Sequence, residues 1–100
     1  MALQINNNQG IFEICGLLNA QNTSLMKHYF ESLIENARAI TISLDKINDI
    51  DATAVLCLGS LYKKAMAKNK IFYIIGSENK NVRDRFREEK MFYVLRRDIL

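Results

Sequence analysis

Three features of the sequence predict a mixed α/β fold of order ββαβαβα that closes on a short C-terminal strand or helix. Apolar residues alternate through 3–5, 11–15 and 40–44 as in strands, and recur at three- and four-residue spacing through 25–37 and 52–69 as in helices. The two patterns take turns along the chain. Strand, helix and strand in succession make a parallel crossover, and the right-handedness of crossovers leaves few topologies, so a mixed β-sheet flanked by helices is expected.

Leu3 and Ile5 flank Gln4 before Asn6-Asn7-Asn8-Gln9-Gly10, after which Ile11-Phe12-Glu13-Ile14-Cys15 resumes an extended run. This reads as a hairpin whose turn takes a positive φ at Gly10. Gly16 ends the second strand, and Asn22, Thr23 or Ser24 can cap the helix that follows. On that helix Leu25, Met26, Tyr29, Phe30, Leu33, Ile34 and Ala37 share one half of the wheel. His28, the only histidine, lies on the other half with Glu31, Ser32 and Glu35, and is read as a solvated surface residue rather than a general base. Ile40, Ile42 and Leu44 then alternate with Thr41 and Ser43 up to Asp45-Lys46. After Asn48-Asp49-Ile50-Asp51 a second helix runs to about Asn69, burying Ala54, Val55, Leu58, Leu61, Tyr62, Ala65 and Met66. The continuous apolar run 71–75 is that of a strand covered on both faces, and Gly76 ends it. Residues 79–90 form a polar helix around Val82 and Phe86, 91–95 return to the sheet as a short strand, and the last few residues make a turn of helix.

One hundred residues, of which 49% are apolar and 25% charged, suit one ordinary folded domain over 1–100. No apolar stretch is long enough to span a bilayer, and the opening residues carry neither a basic region nor a long apolar run, so a cytoplasmic protein is expected. Cys15 and Cys57 sit in apolar contexts without ligand partners at metal spacing, and are read as small buried fillers. The net charge of +3 is unevenly spread: residues 1–50 hold three Lys/Arg against five Asp/Glu, residues 51–100 eleven against six. The basic half alternates its cations with Asp84, Glu88, Glu89 and Asp98, and no aromatic ladder interleaves them. That pattern is a solvated helical face rather than a nucleic-acid or lipid surface.

Enzyme signatures are missing. There is no glycine pattern to cradle phosphates, no histidine near a nucleophile, no HExxH and no convergent carboxylate pair, so neither catalysis nor a cofactor or metal is expected. Ligands and partners of such sheets use the loops at the carboxyl ends of strands, here 16–24, 45–53 and 76–79. The middle loop carries the informative turn Asp51-Ala52-Thr53-Ala54. Asp51 and Thr53 lie where the second helix begins, so either can cap its free N–H groups, and the helix dipole favours negative charge there. A phosphate on Thr53 would be tolerated electrostatically and would put about −2 of charge on a docking partner. Leu56 and Ser60 point outward on nearly the same side as Thr53, ringed by Lys63 and Lys64. Two readings stay open: Thr53 as a cap with Leu56 an incidental surface apolar, or both as parts of an interface.

The placement of this turn resembles the STAS family, the domain of anti-sigma factor antagonists and sulfate-transporter tails. The resemblance rests on Ile40-Thr41-Ile42-Ser43-Leu44-Asp45, a short loop, and Ile50-Asp51-Ala52-Thr53-Ala54 opening a helix that ends in a basic stretch. Phe12-Glu13-Ile14-Cys15-Gly16-Leu17-Leu18-Asn19 is similar to the family's second strand and its Gly-x-Leu-Asp turn, and 82–93 to its third helix and return segment. In antagonists of the family the turn reads Asp-Ser-Ser or Asp-Ser-Thr followed by Gly, and a partner kinase, itself the anti-sigma factor, phosphorylates the second hydroxyl. The resemblance therefore implies Thr53 as phosphorylation site and the turn Asp51, Ala52, Thr53 and Ala54 as the partner-binding face of a non-enzymatic partner switch, to which the helical wheel adds Leu56 and Ser60. The partner implied is a serine/threonine kinase with a histidine-kinase-type ATPase fold, and the output is a sigma factor or another released protein. The alternative is an accessory subunit that binds an ABC-type ATPase in lipid transport, with Thr53 and Leu56 as unmodified contacts. Ala52 and Ala54 stand where the family has a hydroxyl residue and glycine, and Asn19 where it often has Asp.

Overall fold

The chain enters its sheet through a two-residue turn. In the computed structural model, which describes residues 3–96, β1 (Gln4–Asn8) pairs antiparallel with β2 (Ile11–Leu18), Gln4 opposite Cys15 and Asn8 opposite Ile11. Gln9 and Gly10 between them have φ of 55° and 87°, the doubly positive geometry whose twist matches that of the flanking strands. The turn is thus shorter than the sequence suggested, because the three asparagines continue β1. Among the described residues only one side of this edge strand meets a neighbouring strand, and polar residues suit an edge.

The elements that follow are α1 (Thr23–Asn36), β3 (Ala39–Ser43), β4 (Ile47–Ile50), α2 (Ala52–Ala67), β5 (Ile71–Ile75), α3 (Lys80–Glu88), a single 3-10 turn (Phe92–Val94) and β6 (Leu95–Arg96). The sheet order is β1-β2-β3-β5-β6, with β4 attached to β2, and every pairing after the first is parallel. The mixed sheet flanked by three helices is the expected architecture. β4 is an addition to it, inside the segment read as a loop. β2 makes room for it by changing partner: residues 11–13 pair with β3, and 16–18 with β4. The break falls at Gly16, whose φ of 102° is open to glycine at little cost.

Alternate side chains of the strands go beneath the helices. Ile14 and Leu18, Ile40 and Ile42, and Phe72 and Ile74 are buried, against Met26, Phe30 and Ile34 of α1, Val55, Leu58 and Leu61 of α2, and Val82 and Phe86 of α3. The other face of β5 is open, with Ile71 49% exposed and Tyr73 exposed beside it. The expectation that 71–75 is covered on both faces is therefore corrected: the helices lie on one face, and the run is continuous only because its outward positions are apolar too. Leu25 (71% exposed), Tyr29 and Met66 also lie outside the core to which the wheel assigned them. A helix resting on a sheet buries a narrower arc than its apolar residues span. Tyr29 instead meets Phe30 edge-on at 5.1 Å and Phe12 at 6.1 Å between ring centroids.

Cys15 and Cys57 are half-buried rather than buried, and both are free thiols. Burial pushes the Cys57 thiol up, with the Lys27 charge opposing. The return segment is also corrected. Lys90 turns the chain out of α3 at φ 59°, and Met91 and Val94 donate their N–H groups to Phe86 and Met91, which winds 92–94 into the 3-10 turn. Only Leu95 and Arg96 are left to pair with β5. The expected closing turn of helix falls on 97–100, outside the described residues. No helix among the described residues is long and apolar enough to cross a membrane.

Asn79 ties the end of the sheet together. Its Oδ1 accepts from the N–H groups of Asn81 and Val82, capping α3, while its Nδ2 donates to the carbonyls of Leu44 (3.3 Å), Asp45 (3.1 Å) and Ile47 (2.9 Å). One side chain thus starts a helix and holds the link between β3 and β4. Asn79→Ala removes both functions and is expected to lower the unfolding free energy by about 2–3 kcal/mol, read from the midpoint of a urea titration at unchanged slope.

Candidate functional site

β2 and β4 end side by side, and the residues just beyond them form the site. The pairing of Leu18 with Ile50 brings Asp51 next to the β2–α1 loop, where its N–H donates to the carbonyl of Leu18 (3.1 Å). Asp51 has the extended backbone of an N-cap, and its Oδ1 accepts from the Ala54 N–H at 2.9 Å. Its Oδ2 accepts from the Ala20 N–H at 3.0 Å, across 31 residues of chain. A single carboxylate therefore caps α2 and fastens the β2–α1 loop to it. Of the two residues able to cap, Asp51 does so and Thr53 does not.

That loop has its own framework. Asn22 accepts from the Asn19 N–H through Oδ1 and donates through Nδ2 to the Leu17 carbonyl at 2.7 Å, while Asn19 Oδ1 accepts from the Gln21 N–H. Asn22 holds the N-cap position of α1 without capping through its side chain. From the opposite side Arg85 Nε donates to the Ile50 carbonyl (3.1 Å) and Asn81 Nδ2 to the Asn48 carbonyl (3.1 Å). The start of α2 is braced by both neighbouring segments. Sequence reasoning found Asp51 through its capping position. It named Asn22 only as a cap candidate and missed its bond to Leu17 together with the roles of Asn81 and Arg85, whose acceptors are main-chain carbonyls that no sequence pattern marks.

Thr53 is exposed on the second residue of α2, and its hydroxyl makes no hydrogen bond among the described residues. The N–H groups of Ala52 and Thr53 likewise keep no partner among the described residues, since within α2 the Asp51 carboxylate takes Ala54 alone and the Asp51 carbonyl takes Val55. One turn on, Leu56 is 53% exposed, and Ser60 is exposed a further turn along the same stripe. Asp51 and Ala52 are half-buried, and Ala54 is fully buried, so its methyl faces the core rather than a docking surface. Lys63 is exposed, whereas Lys64 is held by Glu31 of α1 at 3.2 Å. The hollow beside Asp51, bounded by Leu17, Asn19 and Asp49, has a volume of about 80 Å³. That is room for two or three water molecules, so the end of the sheet offers a surface and not a small-molecule cavity. Among the described residues no group of three or more His, Cys, Asp or Glu side chains could hold a metal ion.

The cations of α3 are largely occupied. Lys80 pairs with Asp84 (2.8 Å) and Arg85 with Glu88 (3.0 Å), Arg83 donates to the Ser77 carbonyl, and Arg87 stacks over Phe92 at 4.6 Å. The basic half of the chain is in this region a self-paired surface.

The family model of the STAS domain matches residues 1–96. The chain belongs to the STAS family. Among solved structures, this STAS chain is similar to an anti-sigma factor antagonist from Mycobacterium paratuberculosis at 11% identity, with a TM-score of 0.78 over 99% of this chain and 86% of that one. SpoIIAA in its unphosphorylated form aligns at 13% identity and TM-score 0.74, over 96% of this chain and 87% of that one. The Bacillus cell-fate determinant SpoIIAA in its phosphorylated form aligns at 12% identity and TM-score 0.69, over 96% and 90%. At these identities the likeness is one of fold. No curated protein sequence matches the chain.

The geometry separates the roles of neighbouring residues. Asp51→Ala should cost about 1–2 kcal/mol of stability in chemical denaturation, because a cap and a tertiary bond are lost together. Thr53→Ala, two residues on, should change it by less than about 0.5 kcal/mol, since no contact is removed.

Proposed function

We propose that this STAS domain is a non-enzymatic partner switch, acting in the cytoplasm, whose docking face is the outward stripe Thr53, Leu56 and Ser60 with the half-buried edge of Asp51 and Ala52. The observation that carries the reading is Thr53 itself, an exposed and unbonded hydroxyl held on a braced helix start. A residue kept for structure at that position would be expected to bond something. Leu56 beside it supplies an apolar anchor of the kind that dominates small protein interfaces.

The same geometry supports phosphorylation as the switch. A phosphate on Thr53 would find the unpartnered N–H groups of Ala52 and Thr53 and the positive end of the α2 dipole, so the domain would carry it without unfolding. It would add about −1.5 to −2 of charge beside Leu56 and evict a partner packed there. The modifying partner proposed is a serine/threonine kinase with a histidine-kinase-type ATPase fold that also serves as the anti-sigma factor, by analogy with the antagonists whose fold this chain shares. The two alanines of the turn favour a second reading: with the first hydroxyl and the glycine gone, Thr53 and Leu56 could serve as unmodified contacts to an ABC-type ATPase.

Incubation with the kinase encoded nearest to it and ATP, followed by mass spectrometry, should place one phosphate on Thr53. Thr53→Glu should weaken partner binding by about tenfold or more, equivalent to about 1.4 kcal/mol. Absence of phosphate, together with unchanged binding by Thr53→Glu, rejects the switch. Binding to a permease-associated ATPase that survives Thr53→Ala, without any modification, supports the second reading.

A further inference from the structure

The far end of the molecule holds a feature independent of Thr53. β5 is flanked by β3 along its whole length, but on its other side β6 begins only opposite Ile74. Ile71 donates its N–H to the Arg38 carbonyl and Ile75 accepts from the Leu44 N–H, so the odd residues of β5 bond towards β3. The main chain of Phe72 consequently faces the other edge, where no described strand stands beside it. An open groove of about 390 Å³ lies along this stretch, walled by Tyr62 and Met66 of α2 and by Tyr93 of the 3-10 turn. Tyr93 and Met66 are among the exposed large apolar side chains, and the rings of Tyr62 and Tyr93 meet edge-on at 6.5 Å.

The groove runs into a second cavity, also of about 390 Å³, lined by Arg38, Lys68 and Lys70. Lys70 and Ile71 border both. Among the described residues Glu35 bonds Lys68 at 2.8 Å, and that bond with the Lys68 charge, aided by the more distant Lys64 and Lys70 charges, holds its carboxyl below the usual range. Arg38 and Lys70 have no ion pair among the described residues. Among the described residues the cavity therefore carries an excess of positive charge, next to the Phe72 main chain, which no described strand pairs on this side.

We propose that this edge is a second docking site, and that its occupant is an extended acidic segment of a partner protein, which adds as a short strand against Ile71–Tyr73. Charge complementarity decides the sign of the segment: its carboxylates meet Arg38 and Lys70. The main chain of Phe72 decides its class. A lipid tail in the groove would leave that N–H and C=O without partners, whereas an extended peptide bonds them while its side chains pack on Tyr62, Met66 and Tyr93. The site is at the opposite end of the sheet from Thr53, so it can hold a partner in either state of the switch.

The probe is a blocked hexapeptide, (Glu-Val)₃, titrated into the 15N-labelled chain at low salt. Amide shifts should centre on residues 70–74, fade with added salt, and be absent with (Lys-Val)₃ and with the valine N-methylated form of the acidic peptide. Lys70→Gln and Arg38→Gln should each weaken binding by about tenfold, and Thr53→Glu should leave it unchanged. Equal response to the N-methylated or the basic peptide, or no response to any of them, overturns the proposal. So does protection of the same amides by phosphatidylglycerol vesicles without any effect of the peptide.

Discussion

The Asp51 carboxylate is the constraint on which the site depends. One oxygen caps α2 through Ala54 and the other holds the Ala20 amide, while the Asp51 N–H bonds the end of β2. Two segments far apart in sequence are thereby set at fixed positions around the first turn of α2. Because Asp51 satisfies the structural needs of that turn, Thr53 is left without a structural task. An exposed hydroxyl with no internal partner, on a helix start that cannot drift, can be altered without a cost in folding. That division of labour between adjacent residues is what makes a regulatory role for Thr53 physically reasonable.

The brace around Asp51 depends on β4, and β4 depends on Gly16. Where β2 breaks its pairing with β3, the freed edge takes up β4, whose last residue precedes Asp51. Asn79, Asn81 and Arg85 then secure this short strand from α3 through its carbonyls and those of its approach. All three helices lie on one face of the sheet, so the loops at its carboxyl end are reached from solvent without moving a helix. The β5 edge has a different origin: β6 begins only opposite Ile74.

Much of this was legible in the sequence. α1 and α2 were visible because their apolar spacing persists over about four turns, and the role of Asp51 because a carboxylate before a helical run has few other uses. The turn Gly10 and the stop at Asn69, which has φ 59°, follow from the conformations those residues accept. β4 was not legible: in Ile47-Asn48-Asp49-Ile50 the two isoleucines are three apart, which matches neither a strand period of two nor a helix of such length. The open face of β5 was hidden because Ile71 and Tyr73 are as apolar as the buried Phe72 and Ile74 between them. The site face was half legible. Leu56 and Ser60 fall outward by helical geometry alone, but the burial of Ala54 and the bracing of its turn depend on contacts from distant segments.

Amide hydrogen exchange at Ala20 and Ala54 tests the central role of Asp51 most directly. If one carboxylate holds both, Asp51→Ala should accelerate exchange at the two amides together, while Thr53→Ala leaves both as protected as in the native chain. Faster exchange at Ala54 alone, with Ala20 unchanged, would contradict the account, since the β2–α1 loop would then be held by something other than the cap of α2.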